Sequence, residues 1–160
     1  MAAISDLATA SSVAGTDYLV VSQSGTDRKA AASLFAQASN STWTPTLAFG
    51  GNSVGITYSA RAGTWKRAGD LIVANFSFVL TSKGSSTGAA TISGLPVSMT
   101  GSVCWRYATG LASGVNGLIS YVSNTQTLTL LKFASGAVSG LFDTDFTNTT
   151  YIEGQIVAYA

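Results

Sequence analysis

From Leu71 to Leu80 the chain alternates with a period of two, and that pattern constrains the fold more than any other feature. Ile72, Ala74, Phe76, Phe78 and Leu80 fall on one side; Leu71, Val73, Asn75, Ser77 and Val79 fall on the other. Successive side chains of a strand point to opposite faces, so the first set predicts a core face. The second, mixed set predicts a face that meets solvent or another chain. Ala68-Gly69-Asp70 is a tight hairpin signal joining this strand to one over Thr64 to Arg67. Further strands are predicted over 56–59, 89–93, 102–109, 117–122, 127–133 and 150–159, with Ser123-Asn124-Thr125-Gln126 as a hairpin loop. Thr127, Thr129 and Leu131 alternate with Leu128, Leu130 and Lys132, the pattern of a half-buried strand. Short strands with regular turn signals predict an all-β fold, an antiparallel β-sandwich of jelly-roll type. The chain shows no internal repeat.

Composition narrows the function classes. Only 9% of residues are charged, but 46% are hydrophobic, so disorder is not expected beyond the first few residues. The net charge is +1 with no run of Lys or Arg, which excludes a phosphate-binding surface and hence nucleic acid as a partner. No apolar run approaches the ~18 residues of a membrane span, so membrane insertion is not expected. Met1-Ala2-Ala3-Ile4-Ser5-Asp6 lacks the basic start and apolar centre of a signal peptide, and synthesis in a cytosol without export is the expectation. Cys104 is the only cysteine, which rules out an intrachain disulfide, and it reads as a buried small hydrophobe in a strand.

Enzyme chemistry finds little support. There is no histidine, so neither a Ser-His-Asp triad nor a Cys-His pair nor an imidazole metal site can be built. Asp143-Thr144-Asp145 is the only close pair of carboxylates, a spacing that would suit glycosidic cleavage or Ca²⁺. A turn before the last strand is the better reading, because aspartates favour turns. The glycines of 49–55 and 84–88 lack the helix and the Lys-Ser/Thr of a phosphate loop and read as surface loops. No catalytic residue, cofactor or metal ligand is therefore predicted.

Residues 1–40 differ from the rest. Tyr18 to Ser22 reads as a strand, Gln23 to Thr26 as its turn, and Ala30 to Ala38 as a short helix. Such a piece buries little apolar surface alone and is expected to dock on something. Ala38-Ser39-Asn40-Ser41-Thr42 reads as a polar linker into a domain over 43–160.

Three stretches carry a resemblance: Trp43-Thr44-Pro45-Thr46-Leu47-Ala48-Phe49-Gly50-Gly51 running on to Gly55-Ile56-Thr57-Tyr58-Ser59, then Gly69 to Val73, then Leu80 to Gly88. Together with Asp145 to Gly154 they resemble the distal domain of bacteriophage tail fibres and virion spikes. Ile4-Ser5-Asp6-Leu7, followed by Gly15-Thr16-Asp17 and an apolar run, resembles the N-terminal attachment segment of such proteins. The resemblance implies a non-enzymatic virion protein, made in the host cytoplasm and forming a homotrimer. Residues 1–40 would contact other virion proteins, and the β-domain would face host-surface glycan. The alternative is a capsid, neck or collar decoration that stabilises the particle without binding a receptor. A depolymerising tailspike is disfavoured, since the chain has neither the length nor the repeats of a long β-helix.

The aromatic residues are the candidate contacts. Trp and Tyr beside amides or cations suit sugar rings, through stacking plus hydrogen bonds. Trp65 with Arg67 and Trp105 with Arg106 are the pairs expected to be exposed for this purpose. Packing in the sandwich or at a trimer axis is the competing expectation for each ring.

Overall fold

The computed structural model describes residues 18–24, 26–31 and 41–160. The chain divides into two compact units, Met1–Ala38 and Ser39–Ala160. In the first, β1 (Tyr18–Gln23) and β2 (Thr26–Ala31) form an antiparallel hairpin with Gln23 opposite Thr26. Ser24 turns the chain with a positive φ of 53°. Ala30 and Ala31, expected to begin a helix, belong instead to β2, where they pair with Leu19 and Tyr18. Ladder hydrogen bonds to β1 outweigh the small intrinsic preference of alanine for helix. The rest of the expected helix, 32–38, lies outside the described residues.

The second unit is all-β and antiparallel, as the alternation predicts. Its elements are β3 (Ser41–Trp43), β4 (Thr46–Phe49), β5 (Ile56–Ala68), β6 (Leu71–Lys83), β7 (Ala90–Ser93), β8 (Met99–Leu111), β9 (Gly117–Thr125), β10 (Leu128–Ala134), β11 (Ala137–Gly140) and β12 (Phe146–Tyr159). They form one 10-stranded sheet in the order β3-β5-β6-β12-β8-β9-β10-β7-β4, with β11 added to β10. The first and last strands of that path are joined through Thr44 and Pro45 alone. The sheet must therefore curl until its two ends lie within two residues of each other. This half-barrel is the form the expected sandwich takes. Pro45 sits at the corner, where a missing N–H costs no ladder bond. Across the seam, Leu47 N–H of β4 donates to Tyr58 Oη of β5 at 3.0 Å, and Arg61 Nη1 donates to Thr46 Oγ1 at 3.3 Å.

The concave side holds the core. Ile72, Ala74, Phe76, Phe78 and Leu80 of β6 are buried, the set predicted from alternation. They meet Leu47 and Phe49 of β4, Ile92 of β7, Leu128 and Leu130 of β10, and Ile152 and Ile156 of β12. Several expectations are corrected. Ser41 and Thr42 are not linker but pair with Trp65 and Thr64. The two short strands expected over 56–67 are one 13-residue strand, bent by register slips around Tyr58. Ser123, Asn124 and Thr125, expected as a hairpin loop, end β9 instead, and β4 and β11 are additional strands that were not predicted.

One cross-strand row organises this core. Trp43 of β3 lies opposite Gly63 of β5, which lies opposite Phe76 of β6, then Gly154 of β12, then Trp105 of β8. Large ring and glycine alternate across five strands. The glycines leave room for the rings to meet: Trp43 and Phe76 are T-shaped at 6.2 Å, Phe76 and Trp105 at 5.7 Å. A Cβ on Gly63 would lie 2.6 Å from Trp43 Nε1, and one on Gly154 would lie 2.9 Å from Phe76 Cζ. The Trp43 indole passes over Gly63 to donate to the Asn75 carbonyl at 3.1 Å. Each ring pair contributes about 0.5–1.5 kcal/mol beyond area burial.

This row yields a prediction. Gly154→Ala forces a ring or a strand to shift and should cost about 1–3 kcal/mol. Gly117→Ala is the control, because its Cβ would meet nothing closer than 3.9 Å. Urea unfolding of both variants checks this, and equal stability in the two would refute the row's role.

Candidate functional site

The convex side of β5, β6, β12 and β8 carries the chemistry. Residues between the core positions point outward, and the strand register arranges them in rows. Ala62, Ser77, Glu153 and Tyr107 form one row; Thr64, Asn75, Gln155 and Cys104 form the next, so Cys104, expected to be buried, is exposed on this face. Between Tyr107 and Trp105 the ladder slips, so that Glu153 faces Tyr107 and Gly154 faces Trp105. Arg106 is the extra residue of this bulge, and a bulge re-aims a side chain.

The rows are tied by specific contacts. Gln155 Nε2 donates to Asn75 Oδ1 at 2.9 Å. The Tyr151 hydroxyl donates to Glu153 Oε2 at 3.0 Å, and Arg106 Nη1 lies 3.2 Å from Glu153 Oε1. The Tyr107 and Tyr151 rings are tilted against each other at 5.0 Å. The hydrogen bond to Glu153 favours the protonated phenol and raises the Tyr151 pKa above its ordinary value near 10.0. Arg106 and Glu153 are both solvent-accessible, so their ion pair orients the face more than it stabilises the fold. A shallow depression of about 130 Å³ lies beside Glu153, lined also by Ala62, Thr64, Asn75 and Ser77.

The residues predicted from sequence separate. Trp65 faces Ala74 and is half-buried against the core, not exposed. Arg67 is exposed at the end of β5, where Nε donates to the Gly69 carbonyl at 2.7 Å and Nη2 lies 4.0 Å from Asp70. Trp105 is likewise half-buried, as the last ring of the aromatic row, and its indole nitrogen is buried without a hydrogen-bond partner among the described residues. Arg106 points to the convex face. The structure therefore brings Arg106 together with Glu153, Tyr107 and Tyr151 rather than with the Trp105 ring. Sequence reasoning missed Asn75, Ser77, Tyr107, Tyr151, Glu153 and Gln155 as one surface. Alternation of Tyr151, Glu153 and Gln155 along one strand was the available signal.

The aspartate pair forms a clasp. Asp143–Asp145 is a 3₁₀ turn. Asp143 Oδ1 accepts the Gly88 N–H at 2.8 Å, and its other oxygen lies 3.8 Å from Lys83 Nζ. The buried Asp145 pairs with Lys132 and accepts the Phe142 N–H at 2.9 Å. Lysines and backbone donors thus engage both carboxylates, and the described residues contain no group of three or more His, Cys, Asp or Glu able to hold a metal ion. The turn reading describes this loop.

This geometry defines a class of fold, a curled antiparallel sheet with a polar, aromatic convex face. A part of one solved protein shares the backbone fold: the crystal structure of the Dettilon tailspike protein superposes with a TM-score of 0.64 at 23% identity. The match covers 76% of this chain and 24% of the tailspike, so this chain corresponds to about a quarter of that protein's length. No protein-family model matches the chain. No curated protein matches it either.

The raised phenol gives a second prediction. Because its folded-state pKa lies above the ordinary tyrosine value, the bond to Glu153 stabilises the fold fully below about pH 10 and is lost as pH rises through the raised value. Glu153→Ala should bring the Tyr151 ionisation back down, as read by ultraviolet difference titration against Tyr151→Phe. An unchanged titration would remove Glu153 as the cause.

Proposed function

We propose that this chain is a structural bacteriophage virion protein, a short tail fibre or spike. Its N-terminal unit anchors to the particle and its curled β-domain meets host-surface glycan. The observation that carries this reading is the fold held in common with a part of a tailspike. The convex face adds support, since it combines exposed aromatic surface with amides, hydroxyls and a carboxylate held by Arg106. In this reading the protein works by adhesion, makes or breaks no covalent bond, and acts as a homotrimer in which weak sites add through avidity.

A second reading, a capsid, neck or collar decoration, is favoured by one specific observation. Ile119, Tyr121, Phe133 and Val138 are exposed on neighbouring strands β9, β10 and β11. Exposed apolar surface of this kind suits a protein contact. It serves a trimer interface equally well.

Three measurements test the proposal. Light scattering on the purified protein should give a trimer, and a clean monomer at micromolar concentration would exclude it. Removing residues 1–40 should leave a folded β-domain that no longer joins particles; assembly of the truncated protein would overturn the anchor. Labelled protein should bind bacterial cells and lose binding when the surface polysaccharide is absent. Particles without the protein that adsorb normally but fall apart on heating would favour the decoration reading.

A further inference from the structure

The depression on the convex face has the chemistry of a sugar subsite. Ala62 and Ser77, cross-strand partners on β5 and β6, line it together with Gly63, Thr64, Asn75, Phe76 and Glu153. The Gln155 amide holds Asn75 Oδ1, which turns the Asn75 N–H₂ free and leaves the Gln155 carbonyl as an acceptor. The Ser77 and Thr64 hydroxyls carry no hydrogen bond within the described residues. Donors and acceptors thus stand side by side without fixed partners, the inventory that vicinal hydroxyls match. Glu153 accepts from Tyr151 and is met by Arg106, so its carboxylate is fixed in place as an acceptor.

From this arrangement we propose that the depression seats the edge of a neutral hexopyranose ring, and that Tyr107 stacks the next ring of the same glycan. The Glu153 carboxylate in its lining disfavours an anionic sugar in this position. Tyr107 is 51% exposed and lies in the same row as Ser77, two strands away, or roughly 10 Å at ordinary strand spacing. A glycan lying across the strands reaches both. The depression is shallow, so the bound ring stays partly in solvent and a single site binds weakly, with a Kd on the order of 1 mM. This inference rests on the adhesive reading above and gives that reading a location.

The test uses the full chain and two readouts. Saturation-transfer NMR with a panel of neutral hexoses and a uronic acid reads the site directly. The neutral sugars should give signal and the uronic acid little. Ala62→Leu fills the depression from the solvent side and should weaken the sugar signal at least tenfold with circular dichroism unchanged. Thr64→Val, a near-isosteric change, gives an independent second variant and should weaken it several-fold. Tyr107→Ala should leave monosaccharide binding intact but weaken a disaccharide several-fold. Whole-cell binding of the same proteins separates the two ideas. If wild type binds cells and a folded Ala62→Leu variant binds equally, this site is refuted while the adhesive reading stands. If no hexose gives signal, the site is likewise refuted. If hexose binding is lost in Ala62→Leu but wild type binds no cells, the site stands and the adhesive reading falls.

Discussion

Three rings and two glycines hold the curled sheet in shape. Trp43, Phe76 and Trp105 can meet edge to face only because Gly63 and Gly154 vacate the positions between them. A glycine inside a strand costs backbone entropy and contributes no packing of its own. Here it is compensated by two close aromatic contacts, which a Cβ would forbid. The same row reaches the seam, since Trp43 ends β3 and is followed directly by the Thr44-Pro45 corner. Packing in the row and closure of the half-barrel are one constraint.

The convex face depends on that constraint. The register that aligns Phe76 with Gly154 also aligns Ser77 with Glu153 and Asn75 with Gln155. A slip of one residue would send every one of these side chains to the opposite face. The bulge at Arg106 follows the last member of the row, Trp105, and delivers a guanidinium to Glu153. Core and surface are thus set by a single alignment. Charge plays a smaller part in the fold, chiefly through the clasp that ties the 143–145 turn to Lys83 and Lys132.

What the sequence disclosed divides along the same line. β6 was legible from Leu71 to Leu80 because its alternation is local, although the strand runs on to Lys83, and the β5–β6 hairpin because Gly69 supplies the positive φ that its turn requires. β3 was not legible, since three residues show no period and their partners lie far along the chain, on β5. Trp65 and Trp105 were expected at the surface because each adjoins a cation. The adjacent cation in fact points the other way at Arg106, and Trp65 takes its direction from Ala74 across the ladder. The convex face joins the β5–β6 hairpin to β8 and β12, which lie far along the chain, and only their register assembles it.

The two ends of this domain are built to very different mechanical strengths. The chain enters through β3, an edge strand of three residues paired, among the described residues, to β5 alone. It finishes in β12, a 14-residue strand flanked by β6 and β8. Tension applied ahead of Ser41 loads a short ladder and the Trp43 indole, while the same tension at the other end must break two long ladders at once. Under load the domain would open from its entry side, drawing Trp43 off Phe76 while the β6-β12-β8 platform stayed intact.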